Sequence, residues 1–380
     1  MIKNIIKIIS STFLFFVLVA GSAYDLFGHL AVIKHPVVDM NNSFPPPNNP
    51  SASSDVKGCL RAHQGLYNEQ IDCLEEREDC VKISYHNIVY GFDAETKKAL
   101  GSFWVYKKHI IALQELADRD LAQAIPHPEY AQEPTIVLIF PWQHYSLGTR
   151  FKHLPNYDTK TAYAIVRADY TDNKIVLDYV PHEHALVEAK QDPQAARQLF
   201  VAIINDLVDR VAESGNDNVI PYVWGGSSFI DPYTQTDFHQ KDGNWHRSVN
   251  TSPYTGYDCS EFVMRMAKIA GIEFPWKTTW VMQCSKRALA QTDQLEDGDI
   301  IWVKGHVMIV SNIDRNEIIE SRGYGAGYGC VHRIPLAEIF EGIATYDDLL
   351  ERYYAKQSLS IKNRNGDVEK YDVFKLLKLT

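Results

Sequence analysis

A chain of 380 residues is long enough for two domains and for burying a sizeable core. With 45% hydrophobic and 23% charged residues its composition is globular, which excludes a collagen-like or wholly disordered chain. A formal net charge of -10 at pH 7 argues against nucleic acid or an anionic membrane surface as the main partner, because both attract basic patches.

Residues 1–23 read as a signal peptide. Lys3 and Lys7 give a positive start, Ile8 to Val19 is apolar, and Gly21-Ser22-Ala23 supplies small residues for cleavage. An uncleaved anchor is the competing reading, but about a dozen apolar residues fall short of the roughly 20 that span a bilayer. No cysteine near the cut offers a lipid-attachment site. The mature chain is therefore expected outside the cytoplasm, periplasmic or secreted, with no stable membrane insertion after cleavage.

Residues 24–58 read as a linker, because Pro36 to Lys57 is rich in Pro, Asn and Ser and cannot bury enough apolar surface to fold. Leu60 to Cys80 reads as a polar, acidic helix opening a β-rich domain over 59–190. In that domain short β-branched and aromatic runs recur at Ile88 to Tyr90, Ile136 to Phe140, Ala162 to Val166 and Lys174 to Val180, with a helical insert near Ile110 to Ala124. A small barrel or sandwich is the natural reading. Asp192-Pro193 then opens a helix whose apolar positions Phe200, Ile203, Ile204, Leu207 and Val211 recur at helical spacing, closed by Gly215. A catalytic-type domain is expected over 191–345. The tail, 346–380, carries a hairpin turn at Asn365-Gly366.

The chain has six cysteines. If Cys259 is a reactive thiol, Cys59, Cys73, Cys80, Cys284 and Cys330 remain, and five cannot all pair with one another. Cys73 and Cys80 lie about two turns apart on the expected helix and cannot bridge each other there. The connectivity stays open.

Chemistry concentrates in three segments: Tyr222-Val223-Trp224-Gly225-Gly226, then Gly256 to Phe262, then Leu295 to Ile301 followed by Gly305 to Val310. Asp258 with Glu261 three residues on forms a capping box, which sets Cys259 in the first turn of a helix. Unpaired backbone N–H groups and the positive helix end favour a thiolate, so the thiol is expected to be acidic and quickly alkylated near neutral pH. His306, between Gly305 and the apolar strand Val307 to Val310, sits at a strand start where an imidazole can serve a thiol. The competing reading of each is a buried structural cysteine and a solvated strand-end histidine.

Taken together, Tyr-x-Trp-Gly-Gly, Asp-Cys-Ser, Gly-Asp-Ile and His-Val-x-Ile in this order resemble the NlpC family of papain-like cell-wall cysteine peptidases, over Pro221 to Ile339. The resemblance implies an α+β fold, with a papain-like catalytic domain whose Cys-bearing helix packs on an antiparallel sheet. The strand pattern ahead of it, with Leu147 to Phe151, resembles the SH3-like domains that often precede such domains. It further implies Cys259 as nucleophile, His306 as base and Glu320, on the following strand, as the group orienting His306 in place of the commoner histidine. The implied substrate is a peptidoglycan stem peptide, commonly cut between D-glutamate and a diamino acid, with Tyr222, Asp258 and Ser260 as substrate contacts. No metal or organic cofactor is implied. Three departures stand out: Glu261 where the family usually has glycine, a long insert over Phe229 to Thr255, and Asp297 where proline is usual. Two other readings stay open: a non-catalytic wall-binding scaffold of the same fold, and an amidase or transpeptidase toxin. His182-Glu183-His184 lacks a third ligand at metal-binding spacing and reads as a polar loop, and Trp245 as loop packing. Oligomeric state is not legible.

Overall fold

The computed structural model describes residues 29–44, 61–85, 88–92, 99–127, 132–215, 218–231, 233–234, 238–241, 244–247 and 254–380. The expected signal peptide lies outside them. Among the described residues no helix is long and apolar enough to cross a membrane.

The first sheet has seven strands: β1 (His29–Ile33), β2 (Val37–Asn41), β3 (Arg61–Leu66), β4 (Gln70–Arg77), β5 (Cys80–Ser84), β6 (Ser102–Tyr106) and β7 (Ile110–Ala112), in the order β3-β2-β6-β5-β4-β1-β7. Two expectations are corrected here. The stretch expected as a linker holds β1 and β2, because Val32, Ile33, Val38 and Met40 are fully or almost fully buried and supply apolar surface that the surrounding Pro and Asn had diluted. The expected helix at Leu60 to Cys80 is instead β3 and β4. Their polar residues His63 and Gln64 are buried against the C-terminal half rather than solvated, so a tertiary contact overrides a helical composition. Cys73 and Cys80 consequently sit on neighbouring antiparallel strands, with Cys73 opposite Ile83 and Cys80 opposite Arg77, and both thiols are free. The expected insert holds β7, the short helix α1 (Leu113–Asp118) and a 3-10 turn at Ala122–Ala124.

A second antiparallel sheet of five strands follows: β8 (Thr135–Leu138), β9 (Arg150–His153), β10 (Ala162–Asp169), β11 (Lys174–Pro181) and β12 (Ala185–Val187), ordered β11-β10-β9-β8-β12. The connecting helix α2 (Pro193–Glu213) starts as its sequence dictates. Asp192 accepts the backbone N–H groups of Gln194 and Ala195, and Pro193 occupies the first turn, where its missing N–H costs nothing. Phe200, Ile203, Ile204, Leu207 and Val211 are buried along one stripe.

The third sheet also has seven strands: β13 (Asn218–Pro221), β14 (Tyr233–Thr234), β15 (Ile300–Val303), β16 (His306–Asn312), β17 (Glu317–Arg322), β18 (Cys330–Pro335) and β21 (Phe374–Leu377), ordered β14-β13-β18-β17-β16-β15-β21. Between β18 and β21 lie helix α5 (Tyr346–Tyr354) and the paired strands β19 (Leu359–Lys362) and β20 (Val368–Tyr371). Helices α3 (Cys259–Ile269) and α4 (Thr279–Ser285) precede β15. Helix α3 is buried on almost every face, unlike the one-sided stripe of a surface helix. The N-terminal sheet closes over it: a single apolar cluster runs from Ile33, Ile83 and Phe103 through Phe200 and Phe262 to Ile309 and Leu377.

Asp299, from the Gly-Asp-Ile segment, fastens this half together. Its fully buried carboxylate accepts Arg197 Nη1 of α2 at 2.8 Å and Lys378 Nζ beyond β21 at 2.7 Å, plus the N–H groups of Glu296 and Leu379. Asp299→Ala would leave Arg197 and Lys378 with the half-exposed Glu296 as their remaining carboxylate, a loss of up to about 3–5 kcal/mol. Thermal denaturation is expected to show a lower midpoint, while activity per folded molecule is unchanged.

Candidate active site

Helix α3 begins at Asp258, whose Oδ1 accepts the Glu261 N–H at 2.7 Å and the Ser260 hydroxyl at 2.9 Å. Its Oδ2 accepts the Gly225 N–H at 3.1 Å and lies 3.6 Å from Lys277 Nζ. Gly225 belongs to the Tyr-Val-Trp-Gly-Gly turn and has φ +65. A Cβ there would lie 2.4 Å from the carbonyl oxygen of Arg61, so only glycine lets β3 approach this closely.

The expected capping box is only half made. Glu261 does not reach back to the Asp258 N–H, which donates to Gly226 O instead. Its fully buried carboxylate turns to the N-terminal sheet and accepts His63 Nδ1 at 2.6 Å and Lys277 Nζ at 2.7 Å. Burial alone would raise that carboxyl, but His63 and Lys277 hold it below its ordinary value. The unusual Glu261 is thus an internal anchor between α3 and β3. One turn on, Arg265 Nη1 donates to Glu69 at 2.7 Å and its Nη2 to Gln64 O at 3.2 Å, extending the same fastening.

Cys259 is free and 8% exposed, and the backbone at Val307 and Ser260 eases the ionisation of its thiol. Val307 is the second residue of β16, so the nucleophile position lies against the start of the strand that carries His306. The expected acidic thiol is corrected: burial pushes Cys259 up to about 12, and the Asp258 carboxylate adds to this. The backbone at Val307 and Ser260, together with Lys277, opposes the rise without cancelling it.

His306 opens β16 and presents Nε2 to Glu320 Oε2 at 2.5 Å. Glu320, fully enclosed on β17, also meets His332 Nε2 through Oε1 at 3.0 Å, and Arg322 Nη1 stands 3.6 Å from the same oxygen. Burial would raise this carboxyl, yet the bonds from His306 and His332 hold it far below the carboxylate range. An ionised carboxylate only accepts, so both imidazoles donate from Nε2. That leaves Nδ1 of a neutral His306 as the lone pair available to a thiol.

Residues 219–330 match the model of the NlpC/P60 family. This segment is an NlpC/P60 domain. The fold of the larger part of the chain is shared with an NlpC/P60 family protein from Bacillus cereus ATCC 10987, at 17% identity and a TM-score of 0.53, covering 81% of this chain and 94% of that one. Weaker likenesses are to NlpC2 from Trichomonas vaginalis (10% identity, TM-score 0.30, 81% of this chain and 92% of that) and to the peptidoglycan hydrolase RipB from Mycobacterium tuberculosis (20%, 0.24, 39% and 67%). Those two scores are too low to speak for a common arrangement. No curated protein matches this chain in sequence at a significant level.

Within the NlpC/P60 domain, the residues expected to act together divide into groups. Cys259, Asp258 and Ser260 share the helix start, while His306 and Glu320 are bonded across neighbouring strands. Tyr222 is buried, its ring edge-on to Tyr324 at 6.4 Å between centroids, with its N–H donated to Gly329 O. Asp258 is committed to the helix cap and to Lys277 on both oxygens. Ser260 spends its hydroxyl on Asp258. The insert over Phe229 to Thr255 is described only in part: its strands Phe238–Lys241 and Asn244–Arg247 pair, and Tyr254 O accepts Gln64 Nε2 at 2.6 Å. Asp297 accepts the Ile313 N–H at 2.8 Å. Among the other histidines, His184 Nδ1 is bonded to Pro141 O at 2.7 Å, a structural role in its turn.

Sequence reasoning missed His63, Lys277 and His332. For the first two no local signal exists, because their partners lie 198 and 16 positions away from Glu261 in the chain and only packing joins them. His332 had a faint one: two residues after Cys330 on a strand paired with β17, it falls directly opposite Glu320.

A raised thiol predicts slow chemistry in the free protein. Alkylation of Cys259 by iodoacetamide, followed by peptide mass spectrometry, is expected to be slow at pH 7 and to rise about tenfold per pH unit through pH 9, as thiolate grows far below the pKa. A rate already level at pH 7 would contradict the burial argument.

Proposed function

We propose that this chain is an exported cysteine endopeptidase that hydrolyses an amide of the peptidoglycan stem peptide, with Cys259 as nucleophile, His306 as base and Glu320 as its orienting group. One observation carries the reading: Cys259 opens α3 in the same buried cluster as Val307, which directly follows a histidine whose Nε2 is bonded to a buried carboxylate. A neutral His306 takes the thiol proton at Nδ1 as sulfur attacks the carbonyl carbon. The resulting oxyanion receives the unspent N–H groups at the start of α3, and His306 returns its proton to the leaving amine. Water, deprotonated by the same imidazole, then cleaves the thioester to a carboxylate and restores the thiol. Glu320 keeps Nε2 protonated throughout and stabilises the imidazolium.

Because the resting thiol is not acidic, the attack depends on His306 removing its proton at the moment of reaction rather than on a standing ion pair. The match of residues 219–330 to the NlpC/P60 family model supports the stem peptide as substrate and the D-glutamate to diamino acid bond as the proposed point of cleavage, and the leader-like composition of residues 1–23 supports a cell-envelope location. Tyr222, Asp258 and Ser260 remain the proposed substrate contacts. For Asp258 to bind a substrate amine, that amine has to displace Lys277, so its part in shaping the helix start is the stronger of its two roles. The N-terminal strands serve in this reading as a wall-facing module that also roofs the nucleophile helix.

Digestion of purified peptidoglycan with analysis of the fragments by mass spectrometry tests the proposal. New stem-peptide ends are expected with the wild type and none with Cys259→Ala. Glu320→Ala is expected to lower kcat by roughly 10²- to 10⁴-fold, the range for a lost orienting carboxylate. Wild-type protein that binds the wall but releases no fragments would favour the scaffold reading, and fragments cut at the sugar–peptide amide would favour the amidase.

A further inference from the structure

Beside the proposed trio stands an imidazole that the mechanism does not use. His332 lies on β18 directly opposite Glu320 on β17, and its Nε2 donates to Oε1, the oxygen that His306 leaves unoccupied. The far side of the ring is held by Tyr328, stacked at 4.2 Å between centroids with 22° between planes. The carboxylate is therefore gripped at both oxygens by rings on the two flanking strands, a symmetry that a carboxylate orienting one histidine does not need.

We propose that His332 is a positioning residue that pins Glu320 Oε1, so that Oε2 alone faces His306 and the carboxylate's hold on a His306 proton is limited. This rests on the catalytic reading above. The physical case is a competition. A carboxylate carrying one hydrogen bond concentrates its charge on that donor, whereas a second donor draws charge to the other oxygen and weakens the first bond. A general base works best when neutral at the operating pH, so an undivided Glu320 would hold His306 protonated and idle to higher pH. The other groups facing this pair act on it too. Arg322 lies near Oε1 and is itself tied to Lys362 O and Asn363 Oδ1 at the β19–β20 hairpin, from which Glu369 feels His306 and Tyr371 feels Glu320. Tyr328 completes the surroundings. Arg322 draws charge to the same oxygen at longer range but does not bond to it, which leaves His332 as the hydrogen-bond donor on that side.

Two readouts test this, and one is independent of any substrate. In a Cys259→Ala background, the imidazole of His306 is titrated by NMR with and without His332→Leu. Removal of the ring is expected to raise the His306 titration by about one pH unit. In the active protein the acid limb of the kcat/KM profile on stem peptides is expected to rise with it, with kcat lowered more than KM is changed. His332→Gln, which keeps an N–H donor at similar reach, is expected to restore both. A His306 titration that stays put in His332→Leu overturns the proposal whatever happens to turnover, as does a Gln variant no better than Leu in correctly folded protein. If the wild type cuts no stem peptide, the peptidase reading falls while the titration still decides on His332.

Discussion

The buried carboxylate of Glu261, shared between His63 and Lys277, is the constraint on which the rest of the site depends. It faces away from the nucleophile, yet it fixes the first turn of α3, and through Lys277 it balances the charge of Asp258. A lone carboxylate in that position would be costly to bury, and two donors at 2.6 and 2.7 Å offset the cost. Because one donor comes from β3, the catalytic-type helix cannot be set in place without the N-terminal sheet. Arg265 with Glu69 and the Arg61 carbonyl over Gly225 repeat the same dependence at two further points.

Enclosure has a chemical consequence. A helix start in water would ease ionisation of a cysteine, but the sheet that roofs α3 excludes water, and desolvation outweighs the backbone N–H groups. The thiol rests protonated, and under the proposed mechanism the burden of activation shifts to the imidazole. That places weight on how His306 is held, and the holding is done by one carboxylate with two imidazoles on it. A buried, protonated thiol is also the form least open to stray oxidation.

Much of the C-terminal half was legible in the chain. Asp192-Pro193 and the spacing of Phe200 to Val211 dictate α2, and the apolar run after His306 dictates β16. Asp258 before Cys259 dictates a helix start, since a short acceptor side chain there meets N–H groups that have no other partner. The N-terminal half was misread at β1 to β4. Strands whose polar residues are buried against another element carry no clean alternation, and a Pro- and Asn-rich neighbourhood conceals two short apolar runs.

Caps, periodicity and motif order act within a few residues, and they were enough to name the side chains available for thiol chemistry and the starts of α2, α3 and β16. The raised pKa of Cys259, the inward turn of Glu261 and the pairing of Glu320 with His332 emerge from packing alone. Each of those depends on burial and on partners brought together from distant parts of the chain, and electrostatic energies in a water-poor interior follow distance in space rather than position along the polypeptide.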